Sequence, residues 1–97
     1  EMVDVFDFNA QHRRAEVSIV VQKKHRRKGY AAAAIARIAD YSLRVLHLHQ
    51  IYAVVAEDNE ASLALFFSQG FQTHNRLKEW LFDGVEYADA IVLQKIL

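Results

Sequence analysis

The sequence predicts an α/β fold, a single small domain over residues 1–97 with about five strands, two helices and a mixed, mostly antiparallel sheet. Three observations support this. Several segments alternate apolar and polar side chains, as half-buried strands do. Residues 30–46 repeat apolar side chains every three or four positions, as an amphipathic helix does. Strand-like segments lie on both sides of that helix, and this order predicts that they run parallel.

The first two strands are predicted at residues 2–8 and 15–21, where apolar and polar side chains alternate. A short polar turn at 9–11 joins them, so we expect an antiparallel hairpin. Alternation should place one set of side chains on the same face of each strand: Val3, Val5 and Asp7 in the first strand, and Val17, Ile19 and Val21 in the second.

The long helix is predicted at residues 30–46, and the strand that follows it at residues 50–56. Residues 50–56 are apolar on both faces, which is typical of a central strand that is covered on both sides. The helix should turn one apolar stripe toward the sheet: Ile35, Ile38, Ala39, Ser42, Leu43 and Leu46.

A second, shorter helix is predicted at residues 60–69. Asn59 precedes it as an N-cap, and Gly70 suits the C′ position at its end. The side chains expected to face inward are Leu63, Phe66 and Phe67.

The last part of the chain predicts a hairpin. Strand-like segments at residues 71–82 and 85–97 flank the pair Asp83-Gly84, which is a strong signal for a two-residue turn. The final strand itself is expected at residues 87–93.

Composition narrows the class of protein. Basic and acidic residues balance at 12 each, so the overall charge does not indicate nucleic acid, and we expect no nucleic-acid partner. There is no cysteine, which is compatible with a cytoplasmic location. No apolar run approaches the roughly 20 residues of a membrane span, so we expect no membrane partner. Because the sequence starts without methionine, in a strand-like run, we expect a C-terminal portion of a longer protein.

A basic segment lies between the second predicted strand and the long helix. Six of the seven residues from 23 to 29 are Lys, Arg or His, and Gly29 ends the run. A helix N-terminus presents unpaired N–H groups, so this arrangement predicts a phosphate-binding site, with a solvated basic turn as the alternative. The segment has neither the G-x-x-x-x-G-K-[ST] motif of a P-loop nor the G-x-G-x-x-G motif of a dinucleotide-binding fold.

Four short patterns together suggest a family. Arg26-x-x-Gly29-x-Ala31 fits the [Q/R]-x-x-G-x-[G/A] pyrophosphate-binding loop of the GNAT superfamily of N-acetyltransferases. The other matches come in the family's order and spacing: residues 12–16, 59–62 and 70–71. The chain most resembles the bacterial spermidine (diamine) N-acetyltransferases, with ribosomal-protein acetyltransferases next. The resemblance implies a GNAT fold that lacks its N-terminal strands and helices.

The resemblance also implies acetyl-CoA as co-substrate, bound where the sheet splays apart between the second strand and the strand at 50–56. Backbone groups at the end of the second strand would bond the acetyl and pantetheine portions. The basic segment would hold the pyrophosphate, and the start of the second helix would contact pantetheine. The residues implied are Ile19, Val20 and Val21 in the strand, Arg26, Arg27, Lys28, Gly29, Tyr30 and Ala31 at the basic segment, and Asn59 and Ser62 at the helix.

Glu16 is the candidate acceptor-binding residue, because it is a carboxylate on an otherwise apolar strand. It would bind a cationic amine and take its proton, directly or through water. A salt bridge with Arg13, with Arg14 or with a segment of the longer protein outside this sequence is the alternative. Asp7 is a weaker candidate for contact with an amine or a divalent cation, and we otherwise expect no metal site.

Phe66 departs from the family pattern, which places tyrosine there to protonate the leaving thiolate. Phenylalanine has no hydroxyl, and general acid catalysis typically contributes about 10²–10⁴-fold. The first hypothesis is an acetyl-CoA-dependent N-acetyltransferase that acts on a primary amine of a polyamine such as spermidine. The alternatives are an acetyltransferase for the N-terminus of a ribosomal protein, and a truncated module that binds CoA without turnover.

The first strand is expected to expose apolar residues at an edge of the sheet. Exposed edges invite strand pairing between chains, so we expect a homo-oligomer. The pair His47-x-His49 lies at a helix end, where interaction with the helix dipole is a simpler account than a metal site.

Overall fold

A computed structural model describes residues 2–20 and 28–97 and contains, within them, five strands and two helices. The strands are β1 (Met2–Asn9), β2 (Arg14–Val20), β3 (Gln50–Ala56), β4 (Gln72–Phe82) and β5 (Tyr87–Ile96), and the helices are α1 (Lys28–Arg44) and α2 (Glu60–Ser68). The strands form one sheet in the order β1-β2-β3-β5-β4. This confirms the predicted α/β fold.

The sheet is mostly antiparallel, as predicted. β1 and β2 form the expected hairpin, and β5 pairs antiparallel with both β3 and β4. Only the contact between β2 and β3 is parallel among the described strands, which confirms the prediction from the strand–helix–strand order.

The parallel pairing of β2 with β3 is short. It joins three residue pairs and ends at Glu16 and Tyr52, although β2 continues to Val20 and β3 to Ala56. Beyond this point β2 stays paired with β1, and β3 stays paired with β5. The sheet therefore splits between β2 and β3, which confirms the predicted splay.

Both helices pack on one face of this sheet around a single core. The central residues come from β2, α1, β3, α2 and β5 and from the connections before β3 and after α2, and in the strands their burial follows the alternation of side chains. They are Ala15, Val17, Ile35, Ala39, Leu48, Ile51, Ala53, Val55, Phe66, Phe71 and Leu93.

The prediction that β3 is covered on both sides was wrong. Ile51, Ala53 and Val55 are buried, whereas the residues between them are only half-buried. Among the described elements, both helices contribute to the core on the Ile51 face, so the opposite face of β3 is left more open.

Two side chains predicted to face the core lie outside it. Leu43 is 47 % exposed and Phe67 is 48 % exposed. Successive residues of a helix lie about 100° apart around its axis. Leu43 therefore lies at the edge of the apolar stripe whose centre contains Ile35 and Ser42, and Phe67 lies about 100° around α2 from Phe66. Ser42, by contrast, is fully buried, as its place in the stripe predicted.

The C-terminal end of α2 forms a Schellman motif around Gly70, which confirms its predicted role. Gly70 has a φ of 86°, its N–H donates to Phe67 O, and the N–H of Phe71 donates to Phe66 O. The rings of Phe66 and Phe71 meet edge to face with centroids 4.9 Å apart. The cap thus fixes Phe66 as a core residue.

The hairpin between β4 and β5 has a longer turn than predicted. Phe82 pairs with Tyr87, so four residues rather than two connect the strands. The Asp83 carboxylate accepts hydrogen bonds from the backbone N–H groups of Val85 (2.8 Å) and Glu86 (2.7 Å), and these bonds lower the pKa of Asp83. Satisfying two backbone donors through one side chain stabilises the wider loop.

Candidate functional site

The split between β2 and β3 is the candidate site. The β2 residues beyond Glu16 bond to β1 on one side and have no partner strand on the β3 side within the described residues. Backbone N–H and C=O groups need hydrogen-bond partners, so this edge can bond an extended ligand. Ile19 lies on this edge and its side chain is half-buried, which leaves the backbone to make such contacts.

The N-terminus of α1 follows β2 in the sequence and presents the features expected of an anion site. Helix α1 begins at Lys28, and none of its first-turn residues is acidic. A side chain built at Gly29 would meet no atom within 4 Å, so open space lies beside its backbone. Tyr30 is exposed and Ala31 is buried against the fold. Unpaired N–H groups and the helix dipole favour an anion here.

Part of the predicted cofactor-binding set is not covered by the structure. Val21, Arg26 and Arg27 lie outside the described residues. Val20 and Lys28 are described as the last residue of β2 and the first residue of α1, which is consistent with the backbone role predicted for them.

Asn59 caps α2, as predicted. Its Oδ1 accepts a hydrogen bond of 3.2 Å from the backbone N–H of Ser62. The cap uses only Oδ1, so Nδ2 is a donor that the cap does not need. Asn59 follows β3 by three residues and its side chain is exposed.

Phe66 is a core side chain. It is 1 % exposed and packs against Phe71. Its ring carries no group that can give a proton to a leaving thiolate.

Glu16 lies at the closed end of the split, opposite Tyr52 in the last residue pair of the parallel ladder. Its side chain is half-buried. Among residues 2–20 and 28–97, neither Arg13 nor Arg14 forms an ion pair with it, so the predicted alternative of a salt bridge is not found.

Asp7 lies on the Glu16 side of the sheet because the backbone around it is irregular. The pairing of β1 with β2 shifts register between Phe6 and Asn9, and Asp7 has a φ of 54°. Such a bulge turns a side chain away from strict alternation. Asp7 therefore does not share the Val3 face, as alternation predicted, but accepts a hydrogen bond of 3.1 Å from the Tyr52 hydroxyl.

Asp7 affects the protonation of both Glu16 and Tyr52. Burial raises the pKa of Glu16, and the negative charge of Asp7 raises it further. Burial and the hydrogen bond to Asp7 raise the pKa of Tyr52 to about 12. Tyr52 is thus a hydroxyl donor at neutral pH, and Glu16 is a stronger base than an ordinary carboxylate.

Sequence reasoning missed Tyr52 and a second network. Arg76 of β4 donates to Glu57, which follows β3, and its Nε donates to Asp89 of β5 at 3.0 Å. Asp89 also accepts from the backbone N–H of Glu79 at 2.8 Å. These contacts tie the segment that carries Asn59 to the β4–β5 hairpin. The residues in these contacts lie far apart in sequence and are brought together by the register of the strands, so periodicity could not identify them.

The remaining polar groups form no recognisable metal site. Among the described residues, no group of three or more His, Cys, Asp or Glu side chains is placed to hold a metal ion. A shallow surface cavity of about 590 Å³ at the opposite end of the sheet is lined by Gln11, His12, Arg13, Leu43, His47, Leu48 and His49. No helix in the described part of the chain is long and apolar enough to cross a membrane.

Comparison with known proteins agrees with this geometry. The acetyltransferase (GNAT) domain family matches residues 2–72. A spermidine N(1)-acetyltransferase of Vibrio cholerae is 36 % identical over 88 residues, which cover 91 % of this chain and 51 % of that protein. The Escherichia coli K12 spermidine N(1)-acetyltransferase is 31 % identical over 90 residues, 93 % of this chain and 48 % of that protein. The chain thus spans about half the length of these relatives.

Solved structures show the same likeness. Spermidine N-acetyltransferase from Vibrio cholerae in complex with CoA and spermine superposes with a TM-score of 0.90 at 34 % identity, covering 97 % of this chain and 56 % of that one. A dodecameric structure of the Vibrio cholerae enzyme in an intermediate state gives a TM-score of 0.89, covering 97 % of this chain and 55 % of that one.

Replacing Glu16 by glutamine should stabilise the fold at neutral pH. The pKa of Glu16 is raised in the folded state, so the folded chain holds this proton more tightly than the unfolded chain does. Ionisation therefore disfavours folding once the pH exceeds the carboxyl pKa of the unfolded chain, and Glu16→Gln removes that penalty.

Thermal unfolding followed by circular dichroism tests this. The unfolding midpoint of Glu16→Gln should exceed that of the wild type at neutral pH. The two midpoints should converge at a pH well below the pKa range of carboxyl groups. Glu86→Gln, in the exposed hairpin loop, is the matched control and should leave the wild-type unfolding midpoint unchanged at both pH values. Equal midpoints for Glu16→Gln and wild type at both pH values would contradict the assignment.

Proposed function

The chain belongs to the GNAT acetyltransferase family, and on this basis we propose that the protein transfers an acetyl group from acetyl-CoA to a primary amine of a polyamine such as spermidine. The named relatives and the CoA- and spermine-bound neighbour support this choice of substrates. One observation of the fold carries the proposal. A half-buried carboxylate, Glu16, lies at the closed end of a split where, among the described residues, the β2 edge has no partner strand on the β3 side.

The split is the proposed binding site for the extended thioester. Acetyl-CoA supplies the activated acetyl group, and the residues of this chain bind and orient it. The proposed contacts are backbone groups of Ile19, Val20 and Val21 with the acetyl and pantetheine portions, backbone N–H groups of residues 26–31 with the pyrophosphate, and Asn59 and Ser62 with pantetheine. A helix N-terminus without acidic side chains suits the pyrophosphate.

Glu16 would prepare the amine. A polyamine is protonated at neutral pH, and a protonated amine has no lone pair with which to attack a thioester. Because its pKa is raised, Glu16 can accept this proton more readily than an ordinary carboxylate can. The amine nitrogen then forms a bond with the carbonyl carbon, the carbon–sulfur bond breaks, and the nitrogen gives up a second proton to solvent water, which leaves a neutral amide and the CoA thiolate. Holding both partners in the split contributes through proximity.

Phe66 supports a second candidate function, a module that binds CoA without turnover. The ring is buried and has no proton to give, so a departing thiolate would take its proton from water or another donor, or leave as the anion. The enzyme proposal therefore includes a slow step at thiolate departure. The module proposal shares the same cofactor site and differs only in the absence of transfer.

We also propose that copies of the chain assemble. β1 is one edge of the sheet, with Phe6 43 % and Phe8 53 % exposed. Unpaired edges with apolar side chains favour strand pairing between chains. The dodecameric Vibrio cholerae neighbour is consistent with this. Size-exclusion chromatography with light scattering should give a mass of at least a dimer, and a monodisperse monomer at micromolar concentration would overturn the proposal.

Binding of acetyl-CoA should depend on the start of α1. Gly29→Glu introduces a negative charge and a side chain beside the proposed pyrophosphate, so isothermal titration calorimetry should show affinity lowered by about tenfold or more. Ala36→Glu is the matched control, because it adds the same charge on an exposed position about 10 Å further along the helix. Equal affinity in Gly29→Glu and wild type would place the cofactor elsewhere.

Restoring a hydroxyl at position 66 should raise turnover. Phe66→Tyr supplies a proton donor for the thiolate, and general acids typically contribute about 10²–10⁴-fold. The release of free thiol from acetyl-CoA in the presence of spermidine measures the rate. Phe67→Tyr adds the same group to the exposed neighbour and should leave the rate unchanged. A Phe66→Tyr variant that binds acetyl-CoA but is no faster than wild type would contradict the argument.

A further inference from the structure

Three strands bring one polar group each to the closed end of the split. Asp7 comes from β1, Glu16 from β2 and Tyr52 from β3. The Tyr52 hydroxyl donates to Asp7 Oδ2 at 3.1 Å, across the strand that carries Glu16. We propose that Tyr52 is a positioning residue that holds the Asp7 carboxylate beside Glu16, so that two carboxylates face one cationic amine. This inference rests on the proposed function and adds residues to its acceptor site.

The geometry requires a long side chain at position 52. Neighbouring strands lie about 4.8 Å apart, so β1 and β3 are separated by roughly twice that distance. Tyr52 spans this gap with its ring over β2, opposite Glu16 in the parallel ladder. A phenylalanine would fill the same space without reaching Asp7 with a donor. The hydroxyl is therefore the part of Tyr52 that packing alone does not explain.

The backbone at Asp7 supports the same conclusion. Its φ of 54° lies in the left-handed region, which aspartate tolerates better than most residues but which still needs support from its surroundings. The register shift between Phe6 and Asn9 brings the carboxylate to the Glu16 side of the sheet. The bulge turns the carboxylate, and the Tyr52 hydrogen bond holds it there.

The charges around Glu16 are those that a cationic amine would complement. Asp7 and Tyr52 face it from the two neighbouring strands, and Arg14 lies nearby on its own strand. Two carboxylates held close together oppose each other's ionisation, and a cation bound between them removes that opposition. The fixed tyrosine hydroxyl, with a pKa of about 12, stays protonated and supports the Asp7 anion throughout the neutral range.

The test uses two substitutions that each remove one property. Tyr52→Phe removes the hydroxyl and keeps the ring. Asp7→Asn keeps a hydrogen-bond acceptor for Tyr52 and tolerates the left-handed backbone, but removes the charge. Tyr41→Phe removes a hydroxyl from an exposed position on α1 and is the control. For each chain, carbon-13 NMR follows the titration of the Glu16 carboxyl, and calorimetry measures the affinity for spermidine.

Tyr52→Phe and Asp7→Asn should both lower the pKa of Glu16 toward its ordinary value, because the Asp7 charge is displaced in one and removed in the other. Both should weaken spermidine binding, by about fivefold for the loss of one supporting hydrogen bond. Tyr41→Phe should change neither quantity.

The two proposals fail in different ways. If Tyr52→Phe leaves the Glu16 titration and the spermidine affinity at their wild-type values, or changes them no more than Tyr41→Phe does, the positioning role is wrong. If the wild-type chain does not bind spermidine, the proposed substrate is wrong, and the Glu16 titrations still decide the role of Tyr52 because they need neither ligand nor turnover.

Discussion

The early end of the parallel ladder between β2 and β3 is the constraint on which the candidate site depends. Three residue pairs hold the two strands together, and each strand then follows its other neighbour. Ile35 and Ala39 of α1 belong to the same buried cluster as Val17 of β2 and Ile51 of β3. The fold therefore has one core that spans both halves of the sheet, while the ends of β2 and β3 are free to diverge. A ligand that bonds the β2 edge would supply hydrogen-bond partners to the backbone groups of β2 that have no partner strand on the β3 side among the described residues.

Function and stability oppose each other at the closed end of this split. A half-buried carboxylate next to a second carboxylate destabilises the folded chain at neutral pH, and a left-handed aspartate adds local strain. The surrounding structure compensates with ordinary packing, for example the edge-to-face contact of Phe66 and Phe71 under the Schellman motif. The strained groups lie on the open face of the sheet, away from the helices, where a ligand can reach them.

The sequence predicted those features that depend on local chemistry. Alternation identified the strands, the bounds of β3 were predicted correctly, and Asn59 and Gly70 marked the ends of α2 because capping needs only neighbouring residues. The errors in the prediction share a cause. A β-bulge turns Asp7 away from the face that alternation predicted, and Leu43 lies at the edge of an apolar stripe whose width is set by the sheet. Tyr52 is brought to the site by the register of the strands. Each depends on contacts between residues far apart in sequence, which periodicity alone does not contain.

The basic residues next to α1 have a kinetic consequence. Five of the 12 Lys and Arg residues fall at positions 23–28, between the end of β2 and the body of α1 in sequence, so the rest of the chain carries seven against all 12 acidic residues. The charges of a chain with no net charge are thus unevenly distributed along its sequence. Under the proposed function, the basic segment would attract the anionic acetyl-CoA and the acidic residues would attract the cationic amine, and both attractions would raise the rates of encounter. Salt screens such attraction beyond roughly 8–10 Å, which makes the rates of encounter, more than the bound geometry, sensitive to ionic strength.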